Sequence, residues 1–389
     1  MFKPKFNKKV AGKIKNPIGE FFMNTFHTVG DINNDGLKDI VLCGRNGKMA
    51  WFENKGKKGE FIKHVVDQVQ NMECGGSLYD ITGNGYLDII NGSDSKFDEI
   101  YWWENPGEDG DEWEKRLIAK TDFRQFHDTT IGKIKNDGKD YLVFTNQKGK
   151  NSGTNIYCVP FPKDPKQTPW PELEVIAEGK KGVNPFNDNG YQPEEGLAIG
   201  DIDGDGKNEL IGGTHWYKFD KGEWNSYKFA KGYITTKNQI GDIDGDGNNE
   251  IILSEGDECS AGKEGCKLAW FEPKNDIKDI WEEHVIKEDL LDAHTLQLGD
   301  INNNGNIDIL VGEIGLNNDE REYIIRDPQI MIFENDGKGN FTPHIIDKGT
   351  GIHDGLLIDM NNNGTLDIVG KPLHGEEIWN IHVYYNESI

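Results

Sequence analysis

The stretch GDIDGDGKNELIGG, residues 200–213, decides the fold of this chain. Its acidic side chains alternate and then close the loop at Asp201, Asp203, Asp205 and Glu209. Oxygen atoms at loop positions 1, 3, 5 and 9 form a ligand set for Ca²⁺. An EF-hand would need a glutamate at position 12 and flanking helices, but position 12 is Gly212 and both flanks are short apolar runs typical of strands. The stretch therefore predicts a metal-holding turn between two β-strands.

The same loop recurs along the chain, and we number its copies loop 1 to loop 7. The copies, of which the third (KIKNDGKD) has lost one residue, begin at Asp31, Asp80, Lys133, Asp201, Asp242, Asp300 and Asp359. An apolar strand follows the loop, then an aromatic strand such as MAWFEN or LAWFEP, then a fourth strand such as FIKHVVD or WEEHVIK. Four strands in about 40–50 residues are typical of a propeller blade. The sequence predicts an all-β fold, a seven-bladed β-propeller of four-stranded blades that forms a single domain over residues 1–389.

The two ends of the chain predict how the ring closes. The last repeat stops at its third strand, IHVYYNES, whereas the N-terminal FNKKVAGKI resembles a lone fourth strand. We expect residues 5–14 to complete the last blade and to remove the open sheet edge.

The loops differ in how many acidic ligands they offer. Loops 4 and 5 carry four acids each and are expected to fill with Ca²⁺ first, whereas Lys133 at the first position of loop 3 predicts no cation there. Asparagine-rich loops could instead be hydrogen-bonded turns without metal. The predicted calcium ligands, with a structural role, are Asp31, Asn33, Asp35, Asp39, Asp80, Asn84, Asp88, Asp201, Asp203, Asp205, Glu209, Asp242, Asp244, Asp246, Glu250, Asp300, Asn302, Asn304, Asp308, Asp359, Asn361, Asn363 and Asp367.

The loop and the aromatic strand together resemble the FG-GAP/VCBS repeats of integrin-α-like propellers, and the resemblance covers nearly the whole chain.

The composition of the chain limits its binding partners. A net charge of −25 argues against nucleic acid and anionic membrane surfaces, and the chain has no apolar run of about 18–20 residues that could span a membrane. The basic N-terminus has no apolar segment typical of a leader, so we expect a cytoplasmic, monomeric protein, or a secreted one whose leader was removed before this numbering. Cys259 and Cys266 could form a disulfide under oxidising conditions.

The candidate site residues lie six positions before each loop. There the innermost strand of a blade is expected to begin, at the mouth of the central channel. Three of these seven positions are histidines and one is a glutamate: Thr25, Cys74, His127, Glu195, Thr236, His294 and His353. The second strands return to this face with Arg45, Asp94, His215, Glu255, Glu313 and His374, and His27 lies near. Imidazoles with a carboxylate predict a Zn²⁺ or similar transition-metal site, with His127, His294 and His353 as ligands. Alternatively, the same groups could act as general acid and base without metal.

The repeated histidines resemble those of carbohydrate-active propellers, namely aldos-2-ulose dehydratase and the propeller-type lyases for ulvan and rhamnogalacturonan. The resemblance implies β-elimination, in which a base removes the proton α to a carbonyl or carboxylate and a metal or arginine stabilises the enolate. It implies metal-ligand or acid–base roles for His127, His294 and His353. Glu195 would be a further ligand or the base, and Arg45 an electrostatic clamp.

The sequence thus predicts a carbon–oxygen lyase or dehydratase that acts on a keto-sugar or uronate-type carbohydrate. The alternative is a non-catalytic, calcium-dependent propeller that binds a glycan or a protein, because a fold does not fix a function. A purely structural repeat protein would leave the aligned histidines unexplained.

Overall fold

The computed structural model describes residues 2–15, 24–110, 112–149, 155–178, 195–233, 235–256, 266–314, 326–373 and 375–388. These residues form seven four-stranded antiparallel sheets, each of which is one blade. Blade 1 contains β2 (Asn24–Gly30), β3 (Asp39–Gly44), β4 (Asn46–Asn54) and β5 (Phe61–Gln70), and blade 2 contains β6 (Met72–Tyr79), β7 (Asp88–Ser93), β8 (Glu99–Glu104) and β9 (Glu114–Lys120). Blade 3 contains β10 (Phe123–Gly132), β11 (Tyr141–Gly149), β12 (Asn155–Pro160) and β13 (Glu174–Ala177).

The remaining blades repeat this order. Blade 4 contains β14 (Leu197–Gly200), β15 (Glu209–Gly212), β16 (His215–Asp220) and β17 (Glu223–Lys228), and blade 5 contains β18 (Thr236–Gly241), β19 (Glu250–Glu255), β20 (Cys266–Glu272) and β21 (Glu282–Leu290). Blade 6 contains β22 (Thr295–Gly299), β23 (Asp308–Gly312), β24 (Gln329–Asn335) and β25 (Phe341–Lys348). Blade 7 contains β26 (His353–Ile358), β27 (Asp367–Lys371) and β28 (Asn380–Asn386). One short 3-10 turn, Gly107–Asp109, joins β8 to β9.

The N-terminal strand closes the ring, as predicted. β1 (Phe6–Lys13) pairs antiparallel with β28, so the sheet of blade 7 has the order β1-β28-β27-β26. The pairing runs from Phe6 opposite Asn386 to Lys13 opposite Asn380. Because strands from both ends of the chain share one sheet, β28 is covered by a fourth, outermost strand, as the third strands of the other blades are.

The hydrophobic core lies between neighbouring blades. The second strands are apolar and fully buried, as in β3 and β7, since sheets pack on both of their faces. Between blades 2 and 3, Trp102, Phe126 and Phe144 are all 0 % exposed and pack in one cluster. Burial of such large side chains supplies most of the driving force that holds one blade against the next.

A hydrogen-bonded clamp joins several blades on the loop face. In blade 6, the amide Nδ2 of Asn335 donates to the carbonyl of Ile243 in loop 5 (2.8 Å) and to that of Ile307 (3.0 Å). The carboxylate of Asp308 accepts the backbone N–H groups of Asn335 and Ile301. The same clamp is made by Asn54 and Asn386, which end the third strands of blades 1 and 7, and by Asn105, which directly follows the third strand of blade 2. The aromatic strand motif therefore fixes the spacing between blades as well as the core.

No helix of the described residues is long and apolar enough to cross a membrane. Cys266 is buried on β20, whereas Cys259 lies outside the described residues, so the Cys259–Cys266 disulfide stays a prediction.

Candidate active site at the mouth of the central channel

The innermost strands of all seven blades converge on one polar cavity. It has a volume of about 190 Å³ and lies where these strands begin. The charged and imidazole side chains that line it are His27, His127, Asp128, Lys237, His294 and Asp354, together with Cys74. Each of these residues except His27, which lies two residues after Thr25, is at or directly beside the repeat position that the sequence singled out, and the ring geometry brings them together from distant parts of the chain.

Three histidines form a connected cluster with Glu195. The Nε2 atom of His127 lies 3.0 Å from Glu195 Oε1, and the Nε2 atom of His294 lies 3.4 Å from Glu195 Oε2. The ring of His294 stacks on that of His353 with 5.1 Å between ring centroids and an interplanar angle of 19°. The predicted grouping of His127, Glu195, His294 and His353 is therefore present in the structure.

Two aspartates orient the histidines from the adjacent chain position. Asp128 Oδ2 lies 3.1 Å from His127 Nδ1, and Asp354 Oδ2 lies 2.9 Å from His353 Nδ1. A carboxylate beside one ring nitrogen fixes the tautomer and orientation of an imidazole. Asp128 holds His127 through a hydrogen bond, whereas Asp354 contacts His353 as a close charged neighbour without hydrogen-bond geometry.

Lys237 is the central cation of the site. Its Nζ atom lies 3.0 Å from Asp354 Oδ1 and 3.4 Å from carboxylate oxygens of Asp128 and Glu195. The lysine side chain is 9 % exposed and lines the cavity. Three carboxylates from three blades therefore surround one ammonium group, which balances part of their buried charge.

The pKa values of His127 and His353 are shifted in opposite directions. Burial lowers the pKa of His127, but Cys74, Glu195 and Asp128 together raise it well above the ordinary value. Because burial raises the pKa of the Cys74 thiol to about 12, that thiol is neutral at neutral pH, and the carboxylates are what keep His127 protonated. Burial holds the pKa of His353 well below the ordinary value despite the adjacent Asp354. One imidazolium and one neutral imidazole therefore share the site.

Irregularities at the starts of the inner strands aim consecutive residues into the cavity. The register shifts between Phe126 and Thr129 in β10, and between His353 and Leu356 in β26. A bulge inserts an extra residue and so turns two neighbouring side chains to one face. This explains how a histidine and the aspartate after it both reach the site.

Gly196 permits the close contact between blades 3, 4 and 5. Its φ is +80°, its N–H donates to Asp128 Oδ2 at 3.2 Å, and a Cβ atom there would lie 2.5 Å from Asn238 Oδ1. A side chain at this position would strain the backbone and collide with β18.

The other predicted residues lie outside the cavity lining or outside the described chain. The Arg45 guanidinium lies 2.7 Å from Glu73, which neutralises its charge beside the site. His215 is buried at the start of β16, with Nδ1 3.3 Å from Thr214 Oγ1. Neither residue is among the described residues that line the cavity. His374 lies outside the described residues, so its role stays a prediction.

Sequence reasoning missed Asp128, Lys237, Asp354 and Lys371. The recurring His–Asp dipeptides in FHDTT and IHDGL were a usable signal for the aspartates. Lys237 was missed because β18 has no register shift, so the residue after the counted position faces the channel instead. Lys371 lies opposite His353 in β27 and is 0 % exposed, with no hydrogen-bond partner for Nζ among the described residues. Burial lowers its pKa to about 8.

The donor atoms of the site fit a transition metal. Cys74, His353 and Asp354 offer ligand atoms within 4.8 Å of one another, and so do His127, Asp128 and Glu195. Nitrogen, sulfur and carboxylate donors in such groups suit Zn²⁺ and its neighbours.

Two of the predicted calcium loops bring carboxylate oxygens close together among the described residues. Asp201, Asp203 and Glu209 of loop 4, and Asp242, Asp244 and Asp246 of loop 5, offer oxygens within 4.8 Å of one another, which suits a divalent cation. In loop 1, the Asp31 carboxylate accepts N–H groups from Asp35 and Gly36, so this loop also forms a hydrogen-bonded turn.

The acid at position 9 of each loop also has a structural role. Burial raises the pKa of Asp39 and Asp308 to about 6 and that of Asp88 and Glu250 to about 7, while backbone N–H groups bind the carboxylate oxygens. Each carboxylate oxygen keeps a second lone pair for a cation.

Comparison with known proteins supports the fold. No protein-family model and no curated protein matches this sequence, so the FG-GAP/VCBS assignment stays a prediction. Among solved structures, the rhamnogalacturonan lyase YesW is 15 % identical with a TM-score of 0.51, covering 97 % of this chain and 75 % of its own. The rhamnogalacturonan lyase of Bacillus licheniformis gives 13 % identity, a TM-score of 0.51 and the same coverage. The biofilm matrix protein Bap1 of V. cholerae is 10 % identical with a TM-score of 0.50, covering 98 % of this chain and 91 % of its own.

Proposed function

We propose that this protein is a carbohydrate-active lyase or dehydratase that eliminates a β-substituent from a keto-sugar or uronate-type substrate. The observation that carries the proposal is that His127, held protonated, and His294, stacked on the neutral His353, both line one polar cavity. Groups whose pKa values are pushed apart by their surroundings are typical assignments for acid and base. The rhamnogalacturonan lyases among the structural neighbours agree with this reaction class.

The steps of the reaction are assigned to His127, His294 and Lys237, which line the cavity, and to Glu195 beside it. His294, stacked on the neutral His353, accepts the proton from the carbon α to the carbonyl. The carbon–carbon double bond forms as the carbon–oxygen bond to the leaving group breaks, and the His127 imidazolium protonates the departing oxygen. Lys237 places a positive charge close to the developing enolate oxygen. Glu195 orients both His127 and His294.

The cavity size favours a small substrate. Pockets for drug-sized ligands measure roughly 300–1,000 Å³, whereas this one measures about 190 Å³. We therefore propose that it receives one sugar unit, either free or at the end of a chain.

Of the described residues, two separate donor groups could hold a transition metal, His127 with Asp128 and Glu195 or His353 with Cys74 and Asp354, and His294, the third predicted ligand, belongs to neither group. When bound, it would supply Lewis-acid polarisation of the substrate carbonyl. Elemental analysis of protein purified without a histidine tag and without added metal measures whether such an ion accompanies calcium.

The test is a screen of keto-sugars and uronate oligosaccharides for the ultraviolet absorbance of an unsaturated carbonyl product. His127→Gln and His294→Gln are expected to lower turnover by about 10²–10⁴-fold, the usual contribution of general acid–base catalysis. His284→Gln is the matched control, because His284 stacks on Trp270 in the outer part of blade 5 and should leave turnover unchanged. Glycan binding without any turnover would contradict the lyase and favour the calcium-dependent binding propeller.

A further inference from the structure

A lysine side chain from β16 contacts the carboxylates of loop 4. The Lys218 Nζ atom lies 2.5 Å from Asp203 Oδ2, 2.9 Å from Asp205 Oδ2 and 3.1 Å from Glu209 Oε1. These three side chains are calcium ligands predicted from the sequence. Loops 4 and 5 carry four acidic ligands each, more than the other loops. The ammonium group therefore takes up one oxygen from each of three predicted calcium ligands, while Asp201 Oδ1 and Asp203 Oδ1 have no hydrogen-bond partner among the described residues.

At the position of Lys218, four of the other blades have a glutamate. Lys218 follows Tyr217, which pairs with Leu210, whereas Glu272 of blade 5 follows Phe271, which pairs with Ile251. Blades 1, 2 and 6 also have glutamate there, namely Glu53, Glu104 and Glu334. Blade 4 thus reverses the charge beside its loop.

The fourth-strand residue that contacts this position also differs in blade 4. The glutamates of blades 1, 2, 5 and 6 pair with a basic residue of the fourth strand, at distances of 2.7–3.0 Å: His64, Arg116, His284 and His344. In blade 4 the corresponding residue is Tyr227, which lies opposite Trp216 and packs on its ring with centroids 4.4 Å apart. A tyrosine does not need an anionic partner, so Lys218 is left to face the loop.

We propose that Lys218 is the permanent cation of loop 4, and that this loop is stabilised by the lysine and binds no calcium, while loop 5 with nearly the same sequence does. A lysine and a divalent ion cannot both occupy the space between the same carboxylates. The intramolecular ammonium is always present at the loop, whereas calcium must be taken from solution and must displace it. This inference does not rest on the proposed enzymatic activity.

The test counts calcium ions per chain by equilibrium dialysis, with calorimetric titration as a second measurement. Lys218→Met removes the ammonium, and Lys218→Glu introduces the residue found at this position in blades 1, 2, 5 and 6. Both variants are expected to bind one more calcium ion per chain than the wild type. Asp203→Asn in the wild-type background is expected to leave the count unchanged. An unchanged count in both lysine variants, or a lower count in Asp203→Asn, would overturn the proposal.

The reciprocal exchange in blade 5 keeps the test decisive if the Lys218 variants fold poorly. Glu272→Lys places an ammonium beside loop 5, whose ligands otherwise match those of loop 4. It is expected to bind one calcium ion fewer than the wild type, and Glu272→Gln is its control with no positive charge and an unchanged count. A full count in Glu272→Lys would refute competition between lysine and calcium at this position.

Discussion

Replacing Asn335 by alanine tests the clamp between blades 5 and 6. The amide of Asn335, 1 % exposed, donates to the carbonyls of Ile243 and Ile307 and accepts the N–H of Gly337 at 3.0 Å. The substitution removes all three side-chain hydrogen bonds, and the carbonyl of Ile243 belongs to the neighbouring blade. We therefore expect a larger loss of stability than the loss of hydrogen bonds within blade 6 alone would cause.

The magnitude follows from the burial of these groups. A hydrogen bond contributes about 1 kcal/mol net, and a buried polar group left without a partner costs about 1–3 kcal/mol. Three lost bonds therefore predict a fall of about 4 kcal/mol in the free energy of unfolding. With an unfolding entropy of about 2.1 cal/mol/K per residue, this corresponds to roughly 5 °C in the midpoint of thermal unfolding for a chain of 389 residues.

Urea denaturation followed by tryptophan fluorescence measures this change. The matched control is Asn340→Ala, because Asn340 is exposed and its amide reaches only Asp336, at 3.0 Å. The control is expected to change stability by less than about 0.5 kcal/mol. A loss below about 1 kcal/mol for Asn335→Ala would refute the reasoning, since water or neighbouring groups would then satisfy the freed carbonyls.

Three further predictions concern cations, charge and strain. Removal of calcium with EGTA should lower the unfolding temperature, since each site filled at 100 times its Kd contributes about 2.7 kcal/mol; an unchanged midpoint would exclude structural calcium. The pKa of Lys371 in the folded state, about 8, lies below its value of about 10.4 in an unfolded chain. The unfolded chain then binds more protons between these values and stability rises with pH there, so the advantage of Lys371→Met over wild type in urea denaturation should shrink by about 2 kcal/mol from pH 7 to about pH 9.5. A constant difference would contradict a charged, unpartnered lysine. Gly196→Ala should cost about 1–3 kcal/mol, because alanine at φ +80° is strained and its Cβ atom would meet β18; a wild-type urea midpoint would show that β14 can shift.

The sequence was sufficient for the fold because each repeat carries its own markers. The loops, the aromatic strands and the unpaired strand at FNKKVAGKI predicted seven four-stranded blades and the closure by β1, and both are confirmed. Repetition made this prediction secure, since one misread blade would have disagreed with the other six.

The candidate site was predictable only in part. Counting from the loops located His127, Glu195 and His294, because these residues lie the same number of residues before the loop in their blades. The prediction assumed that the same position of every inner strand points its side chain into the channel. Register shifts in β10 and β26 change which side chains point there. The aspartates and Lys237 therefore escaped it. Pairing of the kind seen between Lys218 and loop 4 escapes any motif search, because it depends on a residue of the next-but-one strand.

Closure by β1 has a mechanical consequence. Lys5 and Glu387 lie at the same end of an antiparallel pair whose first partners are Phe6 and Asn386. A force applied between these two residues loads one hydrogen-bonded pair at a time, as in a zipper, and does not shear the whole strand. In an optical-trap experiment the first event should be a low-force release of β1 from β28, after which the ring opens as a row of blades that unfold from blade 7 inward.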